Sequence, residues 1–156
     1  MKKIFLTQNK VALVDDEDYE YLNQWKWYAH KKGKKWYAES WTGYKIKMHT
    51  LIMNTPINFE VDHKDHNGLN NQKYNLRICT HSQNVKNSSK RSDNTSGYKG
   101  VFWYKQTNKW AAGISVNNKR IHLGYFEHKE DAAKAYNIAA IEHHGEFAQL
   151  NILEEK

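Results

Sequence analysis

The chain has 156 residues, enough for one domain of ordinary size or two small ones. Its hydrophobic content of 39%, with six Trp and ten Tyr, predicts a folded protein, and a single cysteine, Cys79, excludes both a disulfide framework and a cysteine-based zinc finger. No segment approaches the roughly 20 apolar residues of a membrane span, so we predict a soluble, cytoplasmic protein with no membrane contact.

The net charge of +7 is distributed unevenly along the chain. Residues 21–50 contain seven lysines and one acid, residues 98–126 contain five basic residues and no acid, and residues 127–156 contain three lysines and seven acids. Basic segments rich in Trp and Tyr are typical of nucleic-acid binders, because phosphates supply affinity and aromatic rings pack on sugars or bases. The alternative reading of the charge is a solvated basic surface.

Residues 1–58 form a basic, aromatic N-terminal region. "KVALVD" predicts a strand, and the acids of "DDEDYEYLNQ" suit the N-terminus of a helix. "WKWYAHKKGKKWYAESW" predicts a hairpin around a Lys-Gly turn, and "KIKMHTLIM" predicts a short helix that ends before Pro56. Lys34 and Lys35, in the hairpin turn, are candidate contacts to DNA.

Residues 59–88 follow a strand, loop, strand, helix pattern. A strand from Phe59 to His63 precedes the turn residues "HNGLNN", a second strand lies in "NLRICT", and a helix begins near "HSQNVKN", capped by Thr80 or Ser82. Residues 89–96, "SKRSDNTS", lack apolar anchors and predict a linker, in which Lys90 and Arg91 are candidate contacts to a phosphate backbone.

Residues 97–151 predict three strands followed by a helix. "GYKGVFWYK", "KWAAGISVN" and "KRIHLGYF" alternate in character, with turns between them. The helix runs from about His128 to His144, ends at Gly145 and carries a face of small residues that allows close packing on the sheet. One face of the sheet is therefore expected to be covered, and the other to be free and basic.

The stretch from Val61 to Asn87 contains the groups that phosphodiester hydrolysis needs. His63 is a candidate general base, since imidazole titrates near neutral pH. Asp62 and Asn84 offer hard oxygen ligands for Mg²⁺ or Mn²⁺, and the Asn75 amide can bridge backbone groups of the loop and fix the orientation of His63. In a regular strand Asp62 and His63 would point to opposite faces, so both can serve one phosphate only if the strand ends or twists there.

On these residues the stretch resembles the His-Asn-His (HNH) homing-endonuclease family, whose core is a ββα-metal motif. The match consists of the Asp62-His63 pair, Asn75 within "NL" and Asn84 within "HSQN". The resemblance implies that His63 is the general base, that Asp62 and Asn84 hold one metal ion, and that Asn75 supports the catalytic site. Ser88 stands where some members have a second metal-binding histidine, which favours magnesium. His49 is expected to pack or to contact phosphate, and His66 and His81 are expected to be surface groups.

Residues from Gly97 onward resemble the Apetala/ethylene-response-factor (ERF) DNA-binding domain of plants. The shared landmarks include "KWAA", "LGYF" and "DAAKAYNIAA". Such domains lay a three-stranded sheet in the major groove of DNA. Gly113 and Ser115 stand where the plant family has charged residues, so the plant target sequence is not inherited. By this resemblance the residues facing DNA are Lys99, Phe102, Tyr104, Gly113, Ser115, Arg120, His122 and Tyr125.

Together these patterns predict an α+β protein with a ββα-metal HNH core and a C-terminal three-stranded antiparallel sheet packed on one helix. The expected function is site-specific, homing-type cleavage of double-stranded DNA, as a nick or a double-strand cut, with one Mg²⁺ or Mn²⁺ per site. We expect a monomer in the cytoplasm of a bacterial or phage-infected cell. The alternatives are a catalytically inactive DNA-binding transcription or recombination factor and, less favoured, a non-specific or RNA-directed nuclease.

Overall fold

The computed structural model describes residues 1–153 and divides the chain into two compact units, Met1–Asn84 and the residues from Val85 onward. Helices and strands are mixed in both units, as the α+β prediction requires. None of the helices in the described part of the chain is long and apolar enough to span a bilayer.

The first unit contains three small antiparallel sheets, formed by β1 with β2, by β3, β4 and β5, and by β6 with β7. Short helices connect or follow them, and α3 runs across the boundary between the units. The elements are β1 (Lys2–Phe5), β2 (Val11–Val14), α1 (Asp16–Leu22), β3 (Tyr28–Lys32), β4 (Lys35–Trp41), β5 (Lys45–Lys47), α2 (Met48–Ile52), β6 (Glu60–His63), β7 (Leu76–Cys79) and α3 (His81–Lys86).

Two features of the first unit differ from the sequence prediction. Strand β1 was not predicted, and it pairs with β2 over Lys2–Phe5. The first residues of "KIKMHTLIM" form strand β5 rather than helix, so that α2 begins only at Met48. The reason is tertiary: β5 pairs with β4, and Lys45 Nζ lies 3.0 Å from Oε2 of the buried Glu39 on that strand.

The apolar core of the first unit joins the N-terminal strands to the aromatic hairpin. Its side chains are buried because the strands β1 to β4 and the helices α1 and α2 each turn one face inward. This core therefore connects segments far apart in sequence before the polar β6–β7 region begins. Its buried members are Ile4, Leu6, Ala12, Val14, Leu22, Trp27, Ala29, Ala38 and Met48.

The second unit is a three-stranded antiparallel sheet with one long helix on one face, as predicted. Strands β8 (Val101–Tyr104), β9 (Lys109–Val116) and β10 (Lys119–Phe126) lie in the order β10-β9-β8. Helix α4 (Lys129–His144) buries Ala132, Ala133, Tyr136, Ala139 and Ala140 against the sheet. The four alanine side chains allow close approach of the helix to the sheet. Gly145, with φ +53°, ends the helix.

The segment predicted as a linker is partly folded onto the second unit. Ser96 is buried, and its hydroxyl donates to the Val101 carbonyl at 2.9 Å. The Asn94 side chain donates to the Tyr98 carbonyl and accepts from the Gly97 N–H. Polar side chains, rather than apolar anchors, hold this end of the segment to the backbone that leads into β8.

Candidate active site

A small polar pocket opens where strand β6 ends. It brings together Asp62 and His63, at the end of β6, and Asn84, in α3. In the sequence, the whole β6–β7 loop and strand β7 lie between β6 and α3. Asp62 and His63 both reach it because β6 ends at His63, and a tight turn, with His66 N–H donating to the His63 carbonyl at 3.0 Å, follows at once. The pocket is lined by Lys35, Tyr37, Val61, Asp62, His63, His66, Gly68 and Asn84.

Asp62 is buried and is held by an arginine on the opposite strand. Arg77 is its cross-strand partner in the β6–β7 register. Nε and Nη2 of Arg77 donate to Oδ2 of Asp62 at 2.9 and 2.6 Å. The ion pair compensates for the burial of the carboxylate and fixes its orientation in the pocket. An acid and a base at opposed hairpin positions were a sequence signal for this pairing.

The His63 imidazole is buried and neutral. Its Nε2 lies 3.3 Å from Oδ1 of Asn71. Since an amide oxygen only accepts, Nε2 carries the proton in the neutral ring, and Nδ1 carries the lone pair. Burial lowers the pKa of His63, and the hydrogen bond to Asn71 opposes that shift. A neutral imidazole in a defined tautomer is the state that a general base requires.

Asn71 has a structural task beyond the turn role that the sequence predicts for it. It is completely buried, and its N–H donates to the Leu13 carbonyl at 2.8 Å, while the Leu13 N–H donates to the Leu69 carbonyl at 2.8 Å. The β6–β7 loop is thereby attached to strand β2. This attachment fixes the amide that accepts from His63, and no local sequence signal reveals it.

Asn75 does not line the pocket. Its side chain forms hydrogen bonds inside the β6–β7 loop. Its Nδ2 donates to Oδ1 of Asp65 and to the Asn70 carbonyl, both at 2.9 Å, and its Oδ1 accepts from the Asp65 N–H at 3.0 Å. Its carbonyl accepts from the Lys64 N–H directly after His63. The amide therefore bridges backbone groups across the loop that follows the proposed base.

Asn84 is oriented by a carboxylate from β6. Its Nδ2 donates to Oε2 of Glu60 at 2.6 Å, and His81 Nδ1 lies 2.8 Å from the other Glu60 oxygen. Both hydrogen bonds lower the pKa of Glu60, and the bond from Asn84 has the larger effect. Helix α3, which carries Asn84, begins with a capping box, in which Gln83 N–H donates to Thr80 Oγ1 and Gln83 Oε1 accepts from the Thr80 N–H. Because Glu60 holds the amide nitrogen, the amide oxygen of Asn84 is turned away from Glu60.

His49 packs against His63 inside the first unit. The two ring centroids are 5.0 Å apart at an interplanar angle of 86°, and the Tyr37 ring lies 5.9 Å from one and 6.0 Å from the other. Burial, followed by the neighbouring His63, lowers the pKa of His49 to about 3. His49 is therefore a neutral packing residue at neutral pH, one of the two roles expected from the sequence.

The N-terminal hairpin forms one side of the pocket. Gly68, in the β6–β7 loop, lies so close to β4 that a Cβ there would overlap the Trp36 carbonyl oxygen and the Tyr37 ring. Glycine at this position is required by the close approach of the two backbones. The aromatic hairpin therefore lines one side of the pocket, through Lys35 at the start of β4 and Tyr37. Lys34, in the turn, is exposed.

The donor set fits a hard divalent cation with few protein ligands. Asp62 and Asn84 bring oxygen atoms to one pocket, as Mg²⁺ or Mn²⁺ prefers. Within residues 1–153, no three His, Cys, Asp or Glu side chains cluster at metal-binding distance. A cation bound here would therefore depend on the Asn84 amide and would keep water or substrate oxygens as further ligands.

The open face of the second unit's sheet carries most of the residues predicted to face DNA. Register places His122 opposite Gly113, Arg120 opposite Ser115, and both Phe102 and Tyr125 opposite Ala111. This face is opposite to that of Val101 and Ala112, which pack under α4. A Cβ on Gly113 would come within 3.1 Å of Arg120 Nε, so glycine leaves room for the guanidinium, which lies 4.5 Å from the Phe102 ring centroid.

Tyrosine and histidine extend this face, whereas Lys99, which was predicted to face DNA, does not lie on it. The Tyr125 ring centroid lies 4.5 Å from that of His122 and 5.2 Å from that of Tyr104. Lys99 precedes β8, and its Nζ donates to the Lys86 and Ser88 carbonyls at 2.6 Å. Lys90 Nζ donates to the Gly97 carbonyl, and Arg91 is exposed in an ion pair with Asp93. The Lys99 ammonium thus binds two backbone carbonyls of its own unit. Burial lowers the pKa of Lys99 to about 8.

Two family models match the chain in the order expected from the sequence. The HNH endonuclease model matches residues 54–86, and the AP2 domain model matches residues 96–146. No solved structure matches the chain.

Three relatives illustrate what the chain is similar to. An uncharacterized HNH endonuclease of Acanthamoeba polyphaga mimivirus is 34% identical over 146 residues, covering 90% of this chain and 74% of that protein. Protein 3.8 of Escherichia phage T7 is 32% identical over 95 residues, covering 61% of this chain and 78% of that protein. An AP2-like ethylene-responsive transcription factor of Arabidopsis thaliana is 35% identical over 105 residues, covering 64% of this chain but only 28% of the plant protein. The chain belongs to the HNH endonuclease family and combines an HNH region with a C-terminal AP2 domain.

Proposed function

We propose that the chain is a site-specific, homing-type DNA endonuclease that hydrolyses phosphodiester bonds of double-stranded DNA with the help of one Mg²⁺ or Mn²⁺. The nuclease centre is the pocket at the end of β6, organised as a ββα-metal site. Target recognition belongs to the open face of the second unit's sheet. The products are expected to carry 5′-phosphate and 3′-hydroxyl ends.

The observation that carries the proposal is the convergence of Asp62, His63 and Asn84 on one polar pocket, each held by a different partner. Arg77 orients Asp62, Asn71 sets the tautomer of His63, and Glu60 orients Asn84. Such preorganisation reduces the cost of aligning reacting groups when substrate arrives.

His63 is proposed to take a proton from the attacking water at Nδ1. The water oxygen then bonds to phosphorus as the bond from phosphorus to the 3′ oxygen breaks, and the leaving 3′ oxygen takes a proton from solvent to give the 3′-hydroxyl end. His63 can act at neutral pH because burial keeps its ring neutral, and the bond from Nε2 to Asn71 holds the ring as positive charge develops on it. Asn75 is proposed to act indirectly, by fixing the loop that carries Asp65 and Asn70.

Asp62 and Asn84 are proposed as the protein ligands of the divalent cation, which would neutralise charge on the phosphate and on the leaving oxygen. Their fixed orientations support this role. The Asp62 carboxylate is bound by arginine through Oδ2, and the Asn84 amide directs its oxygen away from Glu60.

Binding of DNA is proposed to use both basic regions. On the sheet, the exposed Arg120 and His122 offer charged and hydrogen-bonding groups, and the rings of Phe102, Tyr104 and Tyr125 offer stacking surface. Ser115 adds an exposed hydroxyl on the same face. The exposed side chains of Lys34, Lys90 and Arg91 remain candidates for phosphate contacts at the periphery.

The test uses a pool of supercoiled plasmids with random inserts, because the target sequence is unknown. Incubation with Mg²⁺, with Mn²⁺ or with a chelator is followed by gel electrophoresis and by sequencing of the cut ends. We expect metal-dependent nicks or breaks at a recurring sequence, and no cleavage by His63→Ala, which retains DNA binding in a gel-shift assay. Unchanged cleavage by His63→Ala would remove the catalytic assignment. Binding without metal-dependent cleavage would identify an inactive DNA-binding factor instead.

A further inference from the structure

We propose that the hydroxyl of Tyr37 is a substrate-binding group of the pocket at the end of β6, where it donates a hydrogen bond to a non-bridging oxygen of the DNA phosphate being cut. The proposal deepens the nuclease function above and rests on it for the identity of the substrate. It assigns a task to a residue of the aromatic hairpin that lies outside the segment matched by the HNH endonuclease model, residues 54–86.

Tyr37 enters the pocket from strand β4, on which it pairs with His30 of β3. Its side chain is half-buried and lines the pocket together with Asp62, His63 and Asn84. All of these residues belong to the first unit. A phenol from the N-terminal hairpin therefore shares one pocket with the proposed general base and the proposed metal ligands.

Packing holds the Tyr37 ring in place. A Cβ at Gly68 would lie 2.6 Å from Cδ1 and from Cε1 of the ring, so the glycine backbone packs directly on this edge. The ring also meets the imidazoles of His49 and His63 edge-on, at interplanar angles of 66° and 63°. A ring fixed in this way presents its hydroxyl in one position, so little ordering is needed when an acceptor arrives.

The Tyr37 hydroxyl forms no hydrogen bond with any residue in the described range 1–153. Asp62, the carboxylate in the same pocket, is instead bound through Oδ2 by Arg77. The phenol O–H is therefore available to an acceptor that comes from outside the chain. A phosphate oxygen is a favourable acceptor, because a hydrogen bond to an ionised group is stronger than one between neutral groups.

The ionisation of Tyr37 suits this role. Burial, followed by the neighbouring Asp62, raises the pKa of Tyr37, so the phenol keeps its proton in the neutral range where the proposed base acts. A neutral donor also carries no positive charge that would repel the cation proposed at Asp62. Since the base and the metal ligands lie in the same pocket, the part of DNA expected to enter it is the phosphate at the cut.

A conservative substitution separates the hydroxyl from the ring. Tyr37→Phe removes the O–H and keeps the ring that packs on Gly68 and on the two histidines. Tyr19→Phe is the matched control, because Tyr19 is also half-buried in the first unit and packs against its apolar core, but does not line the pocket.

Cleavage by both variants is measured on the plasmid pool under single-turnover conditions. We expect Tyr37→Phe to cut about 10- to 100-fold more slowly than the parent chain, the effect of losing a hydrogen bond to a charged group. Tyr19→Phe should stay within about twofold of the parent. Parent-like cleavage by Tyr37→Phe would overturn the proposal.

The pH profile separates a contact to substrate from an indirect effect through His63. A hydroxyl that binds the phosphate does not govern the ionisation of the base, so the acidic limb of the rate profile should keep its position in Tyr37→Phe. A displaced acidic limb would show that Tyr37 acts on His63 instead and would contradict the proposed contact.

Sulfur substitution in the DNA tests the contact itself. In a duplex that carries the selected site, sulfur replaces each non-bridging oxygen of the scissile phosphate in turn, and sulfur accepts hydrogen bonds poorly. For one of the two isomers, the advantage of the parent over Tyr37→Phe should shrink to within about twofold, as in a double-mutant cycle. An effect of sulfur on metal binding is common to both proteins and cancels in this ratio. The same ratio for the oxygen substrate and for both sulfur isomers would exclude the contact.

A binding measurement separates failure of this contact from failure of the nuclease function. The full chain, isotopically labelled at the tyrosine Cζ atoms that carry the hydroxyl groups, is titrated with a short DNA duplex in the presence of a chelator and followed by NMR. The signals of Tyr37 and Tyr19 are identified by their loss in the two phenylalanine variants. We expect a saturable shift of the Tyr37 signal and none of the Tyr19 signal. A chain that cuts no DNA yet shows this shift keeps the contact and loses the nuclease function. A Tyr37 signal that does not respond to the duplex would contradict the contact whatever the cleavage result.

Discussion

Asn71 accepts a hydrogen bond from the imidazole of His63 across 3.3 Å, while its own backbone N–H is bound to the Leu13 carbonyl of strand β2. The proposed general base is thus oriented by a residue whose position is set by the N-terminal strands. This relationship makes the N-terminal region part of the proposed nuclease site, and it predicts a specific pH response.

Replacing Asn71 by aspartate should shift the pH dependence of cleavage. In the parent chain burial lowers the pKa of His63, so we expect His63 to stay neutral, and cleavage to persist, somewhat below pH 6.5, the ordinary pKa of histidine. A carboxylate at position 71 stabilises the imidazolium and raises the pKa of His63. The acidic limb of the rate profile should therefore move to higher pH in Asn71→Asp, as single-turnover rates from about pH 5 to 9 would reveal. An acidic limb that does not move would show that Asn71 does not govern the ionisation of His63.

His49 should make the stability of the first unit sensitive to acid. Its folded-state pKa of about 3 lies below the value of 6.5 expected when it is exposed, so between these values the unfolded chain binds the extra proton. Above pH 6.5 the ring is neutral in both states and nothing is lost. As pH falls from 6.5 toward 3, the free energy of unfolding should decrease by up to about 1.4 kcal/mol per pH unit from this group.

Denaturant unfolding of the parent chain and of His49→Leu at pH 7 and pH 5 tests this expectation. The variant should lose less stability than the parent between the two values, because leucine does not titrate. Lowered pKa values at His63 and His144 add a dependence of the same sign to both proteins, so the difference between the proteins reports on His49. An identical loss in both proteins would contradict the assignment of a neutral, buried His49.

Exchanging the polar groups of Glu60 and Asn84 should reveal their coupling. Asn84→Asp places a second carboxylate where Nδ2 now lies 2.6 Å from Glu60 Oε2. Repulsion between the two carboxylates should turn the side chain at position 84 away from the proposed metal site and lower metal-dependent cleavage. Glu60→Gln in the same chain restores a donor-acceptor pair and should recover activity. We expect a coupling energy of about 1–3 kcal/mol in a double-mutant cycle built on cleavage rates. Additive effects of the two substitutions would show that Glu60 does not orient residue 84.

Arg120 should contribute to DNA affinity through the open face of the second unit's sheet. Arg120→Gln removes a guanidinium that lies over the Phe102 ring, and we expect about 10-fold weaker binding of the selected DNA together with a smaller salt dependence. Lys134→Gln is the matched control, since Lys134 is exposed on α4. Gel shifts at several salt concentrations give both quantities. Equal affinity of Arg120→Gln and the parent would exclude this residue from the interface.

Local sequence patterns predicted most of the secondary structure. The alternation in "KWAAGISVN" and "KRIHLGYF" indicated β9 and β10, and the small-residue face indicated α4. The resemblance to the HNH family singled out the Asp62-His63 pair, Asn75 and Asn84 as candidate site residues. These features depend on neighbours a few residues away, so the sequence contains them directly. Strand β1 and the strand character of Lys45–Lys47 were missed because both depend on pairing with a partner strand.

Tertiary structure alone decided which residues complete the site. The sequence predicted that Asp62, His63 and Asn84 would lie together, as they do in the pocket, and that the C-terminal sheet would have one open face. Only the fold brought Asn71 to His63 and Lys35 to His66. The physical reason is that a buried polar group requires a partner, but any nearby donor or acceptor can satisfy it. The identity of that partner follows from packing between segments, such as the contact of Gly68 with β4, that no local pattern encodes.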